Sequence, residues 1–343
     1  LDAGSPSPSF PALRRQPTHI PGLDTVLNGG MLTGDVYLVA GEPGTGKTTL
    51  GNHLAFAHAA AGGNVLFATL LSESHDRMLA HLQGLQFVDS ARVGEQIHYV
   101  SLLTGLQEGG VEAMLRTLVD TIRTYTPTLL VIDSAGASRT LTTTDFDFGH
   151  FIHALQARAM LHGCTTVLLA SAREAELAAR HVDGLIRLSN DSIGTTDVRS
   201  LRVVKLRGSA YLHGLHTFAI DTTGIAVFPR LESVYSRLLP QWTGIDRLSL
   251  GVAGLDAMTG DGVLSGSSAT VLGTPGSGKT LLGLHFLAEG VRQGEPCLLA
   301  GFQETPSGIA STADRVGLEL APHLASGLLR VMWRPPLDFT PDD

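Results

Sequence analysis

Lysine is nearly missing from this sequence. Across 343 residues it occurs only at Lys47, Lys205 and Lys279, and arginine supplies every other strong positive charge, although lysine is ordinarily among the commonest residues. Arginine can serve wherever a surface merely needs a cation. The three survivors therefore mark positions where a compact ammonium on a flexible stem has no substitute. Cysteine is scarcer still. Cys164 and Cys297 lack the paired spacing of a zinc site or a disulfide framework, and read as small core residues in a reducing, cytoplasmic setting. Positive charge is short overall: 24 Lys and Arg against 32 Asp and Glu give a net charge of -8. That balance leaves no basic footprint for duplex nucleic acid or anionic lipid. No apolar run approaches the roughly 20 residues of a membrane-spanning helix. The Ser- and Pro-rich start at 1–16 carries no basic-then-apolar signal and reads as a flexible tail. Apolar material, by contrast, is ample. Hydrophobic residues at 43% against 16% charged exclude disorder, and the length predicts two domains at about 150 residues each.

The chain repeats itself. Ile20-Pro21-Gly22-Leu23-Asp24 returns as Val252-Ala253-Gly254-Leu255-Asp256. Gly41-Glu42-Pro43-Gly44-Thr45-Gly46-Lys47-Thr48 returns as Gly273-Thr274-Pro275-Gly276-Ser277-Gly278-Lys279-Thr280, every pair 232 positions apart without a gap. So long a period is no solenoid unit and predicts two tandem copies of one domain. The boundaries that follow are a tail at 1–16, a first domain at 17–230, a linker at 231–243 and a second domain at 244–343. In the first copy an apolar run ends in Asp133, 86 positions after Lys47, whereas 64 residues follow Lys279. The second copy is thus expected to stop before its equivalent acid. Without an initiator Met, the chain reads as part of a longer protein.

Along the first copy, strands are predicted at 36–40, 65–71, 129–132 and 166–170, alternating with helices at 48–61, 111–124 and 150–162. That alternation predicts an α/β fold with a mostly parallel sheet covered on both faces. From Gly184 onward the runs 185–188, 201–206, 217–220 and 225–228 follow with loops alone between them, as in a terminal β-meander.

Both Gly-x-x-x-x-Gly-Lys-Thr runs follow an apolar strand and precede a helical pattern, the context that gives this motif its meaning. The glycines let backbone N–H groups curl around phosphate at a helix N-terminus, the lysine reaches the β and γ phosphates, and the threonine hydroxyl binds Mg²⁺. The candidate nucleotide-binding residues are therefore Gly44, Thr45, Gly46, Lys47, Thr48 and Thr49, with Gly276, Ser277, Gly278, Lys279, Thr280 and Leu281 in the second copy. Asp133 ends an apolar strand and precedes Ser134, the arrangement of a Walker B acid that orders the magnesium ion. The candidate metal residues are Thr48, Asp133 and Thr280. His53, His58, His75, His81, His150 and His153 show no metalloprotease spacing and read as exposed or capping histidines. Thr142-Thr143-Thr144-Asp145 reads as caps and turns, with a phospho-acceptor loop as the alternative.

Four runs together resemble the KaiC-like branch of RecA-type ATPases: Ile-Pro-Gly-Leu-Asp at 20–24, Gly-Glu-Pro-Gly-Thr-Gly-Lys-Thr-Thr-Leu at 41–50, Lys-Leu-Arg-Gly-Ser at 205–209, and Phe-Gln-Glu-Thr-Pro at 302–306. The resemblance covers about residues 17–343. It implies a RecA-like domain, duplicated in tandem, that assembles into hexameric rings with ATP between neighbouring subunits. It also implies that Lys205 and Arg207 reach across to a neighbour's γ-phosphate, which accounts for the third lysine. Their plainer reading is a solvated edge strand. The sequence departs from the family in places. Adjacent glutamates usually end the strand after the phosphate-loop helix, one of them the base that activates water or a hydroxyl. Here Leu71 and Ser72 hold those positions, and only Glu73, one residue late, can serve; the second copy has Gln303-Glu304, which leaves Glu304. Tyr211 stands where the family often has a histidine.

The function expected is a Mg²⁺-dependent, ring-forming ATPase with slow turnover and, in the second domain, serine/threonine autokinase activity. Glu73, Glu304, Lys205 and Arg207 are its candidate catalytic residues. The expected partners are ATP or ADP, further copies of the chain and a regulatory protein, without membrane or nucleic acid. Two alternatives stand beside it. One is an ATP-gated scaffold with little turnover, favoured by the missing glutamate pair. The other is a DNA recombination ATPase of the wider RecA superfamily, which the net charge disfavours. Resemblance to this branch does not make a protein a clock component.

Overall fold

The computed structural model describes residues 13–70, 75–133, 155, 163–193, 196–235 and 246–334. They fall into two compact units that divide at residue 238. In the first unit a short pair, β1 (Arg15–Gln16) and β2 (Met31–Leu32), lies ahead of a nine-stranded sheet. Its strands are β3 (Val36–Ala40), β4 (Val65–Thr69), β5 (Ile97–Ser101), β6 (Leu129–Asp133), β7 (Thr165–Ala170), β8 (Gly184–Ile193), β9 (Thr196–Leu206), β10 (His216–Asp221) and β11 (Gly224–Phe228). They run in the order β11-β10-β9-β8-β3-β7-β6-β4-β5. From β8 to β5 the pairing is parallel. From β8 to β11 it is antiparallel, the expected meander.

Parallel strands with both faces covered read as continuous apolar runs, and every residue of β3, β4, β6 and β7 is buried. Alternate side chains serve opposite faces. Tyr37, Val39, Phe67 and Val131 pack with Leu50, Leu54 and Phe56 of α2 (Lys47–Ala60), while Leu38, Leu66, Leu130 and Leu168 pack with Met114, Leu118 and Ile122 of α4 (Leu103–Tyr125). Among the described residues, this unit also has the α-helices α1 (Leu23–Val26), α3 (His75–Leu82), α5 (Ala172–Ala178) and α6 (Leu231–Tyr235).

Several expectations change. Ordered structure begins inside the stretch read as a tail, because β1 pairs with β2 and the Arg15 guanidinium donates to the carbonyls of Leu27 and Gly30, both at 3.1 Å. Strand β4 ends at Thr69, short of 71. The helix read at 111–124 starts earlier, at Leu103, with a kink where Gly109 and Gly110 leave helical geometry; two adjacent glycines hide an earlier turn from a propensity reading. Strand β5 and helices α3 and α5 went unread, and α6 opens the stretch read as a linker. The helix at 150–162 lies, apart from Leu155, outside the described residues, as do Thr142 to Asp145.

The second unit holds a short pair, β12 (Arg247–Leu248) with β13 (Val263–Leu264), and a parallel pair, β14 (Cys297–Gly301) with β15 (Leu329–Trp333). Its helices are α7 (Ala253–Thr259), α8 (Lys279–Arg292), α9 (Pro306–Arg315) and α10 (Ala321–Ser326). Leu284, Leu287, Val291, Ile309, Ala313, Leu320 and Leu329 form its core. The apolar stretch before the second phosphate loop is not a strand. Among the described residues nothing pairs with 269–273, and Leu272 is 89% exposed. Its first-unit counterpart, β3, is held between β7 and β8; without such neighbours the backbone groups of a strand turn to water.

Candidate active site

In open α/β sheets ligands gather outside the carboxyl ends of the strands, and the first phosphate loop leaves that end of β3. Gly44 and Gly46 adopt φ of +82° and +99°, left-handed conformations that L side chains rarely take. They turn the loop so that α2 begins at Lys47 with no side chain capping its first N–H groups. Those donors and the helix dipole favour an anion. Lys47 is buried, and its ammonium donates to the carbonyls of Gly41 at 2.8 Å and Glu42 at 2.9 Å. Burial pushes its pKa down, against the pull of Asp133, Glu42 and Glu174. The Thr45 hydroxyl ties the loop to the Glu42 carbonyl at 2.8 Å.

Asp133, fully buried at the end of β6, accepts a 2.7 Å hydrogen bond from the Thr48 hydroxyl. The sheet thus brings together a hydroxyl and a carboxylate 85 positions apart, beside the lysine ammonium. An oxygen pair of this kind suits a hard divalent cation such as Mg²⁺. Next to Thr48 and Thr49 opens a cavity of about 740 Å³, lined also by Met78, His81, Ile220, Asp221 and Thr222.

Lys205 and Arg207 lie elsewhere. Strand β9 carries an irregularity where Lys205 pairs with Leu185 and Val203 with Ile186, so that Val204 is the extra residue, exposed at 41%. The Lys205 ammonium donates to the carbonyls of Ala179 at 3.0 Å and Val182 at 2.6 Å, and burial with the nearby Arg207 charge lowers its pKa. Arg207 donates to Asp183 at 3.4 Å and to the Arg180 carbonyl at 3.3 Å. Asp183 in turn joins the Val36 end of β3, whereas the phosphate loop leaves the Ala40 end. Neither residue is brought to the phosphate loop of its own chain. In place they cap α5, where cations are favoured. The Tyr211 hydroxyl donates to the Val204 carbonyl at 3.2 Å. Glu73 lies outside the described residues.

The second loop repeats the first. Gly276 and Gly278 are left-handed at φ of +80° and +90°, α8 begins at Lys279, and the Lys279 ammonium donates to the carbonyls of Gly273 and Thr274, each at 2.8 Å. Thr280 and Leu281 follow on its first turn, behind Ser277 of the loop. A cavity of about 500 Å³ joins Lys279 and Thr280 to Gln303 and Glu304.

The histidines are not uniformly exposed. His53 is buried and accepts from the Ile225 amide at 3.1 Å, and His58 bonds Gln16 and Thr128. Both join α2 to its neighbours because an imidazole offers an acceptor and a donor at once. Sequence reading also missed two structural pairs that the 232-residue offset could have revealed. Arg15 clamps the carbonyls of Leu27 and Gly30, and Arg247 those of Thr259 and Gly262. Asp24 accepts from the Thr18 amide, and Asp256 from the Leu250 amide, each at 2.7 Å. Another omission is Arg199, which donates to the Gly44 carbonyl at 2.8 Å.

A sequence model of the KaiC ATPase family matches residues 16–232 and 248–333. The chain belongs to this family. Its first unit is a KaiC-type, RecA-like P-loop ATPase domain. The chain is similar to the circadian clock protein KaiC2 of Synechocystis sp., with 28% identity over 93% of this chain and 58% of that protein. It is also 28% identical to the circadian clock oscillator protein KaiC of Picosynechococcus sp., over 92% of this chain and 63% of the relative. The KaiC of Thermosynechococcus vestitus is 26% identical, over 93% of this chain and 64% of the relative. The chain thus spans less than two thirds of the curated KaiC relatives it matches. Among the described residues no helix is long and apolar enough to cross a membrane.

Proposed function

We propose that this KaiC-family chain is a ring-forming, Mg²⁺-dependent ATPase of two tandem copies, holding ATP between subunits and hydrolysing it slowly. The contact between the Thr48 hydroxyl and the buried Asp133 carboxylate carries the reading, because it sets a cation-binding pair beside a phosphate loop whose lysine is already in place. The left-handed Gly44 and Gly46 and the uncapped start of α2 fit a polyphosphate. Gly44 to Thr49 would hold the phosphates. Thr48 and Asp133 would hold Mg²⁺, which supplies charge neutralisation at the phosphates when bound. The cavity beside Thr48 has the size of a small-molecule pocket and would take the nucleoside.

Hydrolysis further needs a base and a cation at the γ-phosphate. Glu73 would accept the proton of the attacking water, and its place one residue late supports slow turnover. Lys205 and Arg207 sit at the end of β3 remote from their own loop, which supports a role toward a neighbouring copy and hence a ring, hexameric as in the resemblance. Lys279, Thr280 and Glu304 would serve the second copy, with autokinase activity as a further extension. Sedimentation with saturating Mg-ATP, followed by steady-state phosphate release, tests the proposal. An ATP-dependent hexamer with slow release supports it; a monomer at micromolar concentration overturns it. A hexamer without release moves the reading to an ATP-gated scaffold, which Leu71, Ser72 and Gln303 favour.

A further inference from the structure

The turn between β10 and β11 forms one wall of the cavity beside Thr48, through Asp221 and Thr222. Its shape is fixed from within, because the Asp221 carboxylate accepts from the amide and hydroxyl of Thr223, each at 2.6 Å. Its position against the rest of the site is a separate matter. The same cavity is lined by Thr48 and Thr49 of α2. Ile220, just before the turn, lies against the phosphate loop at Gly46, and farther along the helix His53, two helical turns from that loop, makes the polar link between α2 and the turn.

The Nδ1 atom of His53 accepts the Ile225 amide at 3.1 Å in a buried setting. The imidazole stacks on Phe87, with centroids 4.3 Å apart and planes 15° apart. Phe87 belongs to the segment after α3 that shares the cavity wall through Gly84 and Leu85, and the Gln86 amide donates to the Thr222 carbonyl at 2.7 Å. Gly224 completes the joint. Its φ is +112°, and a Cβ there would lie 2.7 Å from Phe87 and 2.8 Å from His53, so the turn is pressed directly onto the ring. Three segments thus meet on one imidazole.

We propose that His53 is a positioning residue for nucleoside recognition: it holds the 221–224 turn at a set distance from the phosphate-loop helix, and through that turn sets affinity for the base without touching the phosphates. The inference rests on the nucleotide reading of the cavity. Removing the acceptor leaves the Ile225 amide buried without its partner, which destabilises the turn in its present position. The turn relieves that loss by shifting, which moves the Asp221 and Thr222 wall, whereas the hydrogen bonds that shape the loop, from Thr45 and Lys47, do not involve the turn.

The experiment uses the full chain carrying Lys279→Ala, so that binding reports the first loop, and compares ATP with inorganic tripolyphosphate by calorimetry. His53→Leu keeps the volume and removes the acceptor. His53→Asn keeps an acceptor oxygen near the Nδ1 position. His53→Leu should weaken ATP about tenfold or more and leave tripolyphosphate within about twofold, and His53→Asn should restore ATP affinity to within about threefold of the parent. Equal loss of both ligands in His53→Leu would mean a general structural role and overturn the inference, as would unchanged ATP binding. Failure of His53→Asn to recover affinity would overturn the hydrogen bond as the cause. If the parent binds neither ligand, the nucleotide reading itself fails.

Discussion

Asp35 sits half-buried at the start of β3 with a carboxyl pKa pushed up to about 6, mainly by burial, then by the neighbouring Asp183 charge, against the lowering effect of Arg207. The unfolded chain returns it to the ordinary value near 3.8. Between those two pH values the folded protein binds the proton more tightly than the unfolded one, so this group's contribution to stability falls as pH rises from about 4 to about 6 and is level above. At about 1.4 kcal/mol per pH unit, a fully shielded carboxylate would cost about 3 kcal/mol at neutral pH. Solvent screening of a half-exposed group reduces that to about 1 kcal/mol. Asp35→Asn should therefore stabilise the first unit by about 1 kcal/mol at pH 7.5, with the gain disappearing as pH falls below 5. The chain offers a clean readout. All five tyrosines, Tyr37, Tyr99, Tyr125, Tyr211 and Tyr235, precede residue 238, and both tryptophans, Trp242 and Trp333, follow it. Urea unfolding followed by tyrosine second-derivative absorbance reports the first unit, and tryptophan fluorescence serves as the control. A gain of the same size at pH 4.5 and 7.5, or a loss at pH 7.5, would refute the assignment of the cost to Asp35 ionisation.

Lys47→Ala should abolish ATP binding at the first loop, whereas Lys205→Ala should spare affinity and lower turnover, as a cation acting on transition-state charge does; calorimetry and phosphate release separate the two, and equal loss of affinity contradicts the separation. Asp133→Asn keeps an acceptor for the Thr48 hydroxyl but removes the charge, so the Mg²⁺ concentration that half-saturates phosphate release should rise at least about tenfold; an unchanged Mg²⁺ dependence counts against Asp133 as a metal residue. Glu73→Gln should lower single-turnover hydrolysis by about 10² to 10⁴ with ATP affinity retained, and a rate within about threefold of wild type would make Glu73 a surface carboxylate.

What was legible in the sequence was local or periodic. The buried parallel strands announced themselves as Val-Tyr-Leu-Val-Ala and Leu-Leu-Val-Ile, and the phosphate loop as spaced glycines before a lysine. Strand β5, Ile97–Ser101, was missed because it lies at the sheet edge and mixes His98, Tyr99 and Ser101 into a half-exposed pattern. His53 reads from sequence as an exposed or capping histidine because its burial comes from Ile225 and Phe87, which no helical period of α2 encodes. The irregularity at Val204 was equally hidden: an extra residue in one strand is defined by its partner, not by its own sequence.

The two phosphate loops separate what a motif encodes from what a sheet supplies. Around Lys279 the left-handed glycines and both lysine-to-carbonyl bonds form although the stretch before them is unpaired and Leu272 is exposed. Those features follow from backbone conformation within eight residues and need no tertiary help. The carboxylate on Thr48 is different in kind. It comes from Asp133, which is held in line by β7 on one side and β4 on the other. Cradling phosphate is therefore a property of the loop, while setting the metal pair beside it is a property of the assembled sheet. The lysine scarcity fits the same division: Lys47 and Lys279 are fixed by the loops they serve, and Lys205 is set by an irregular strand that only the completed meander creates.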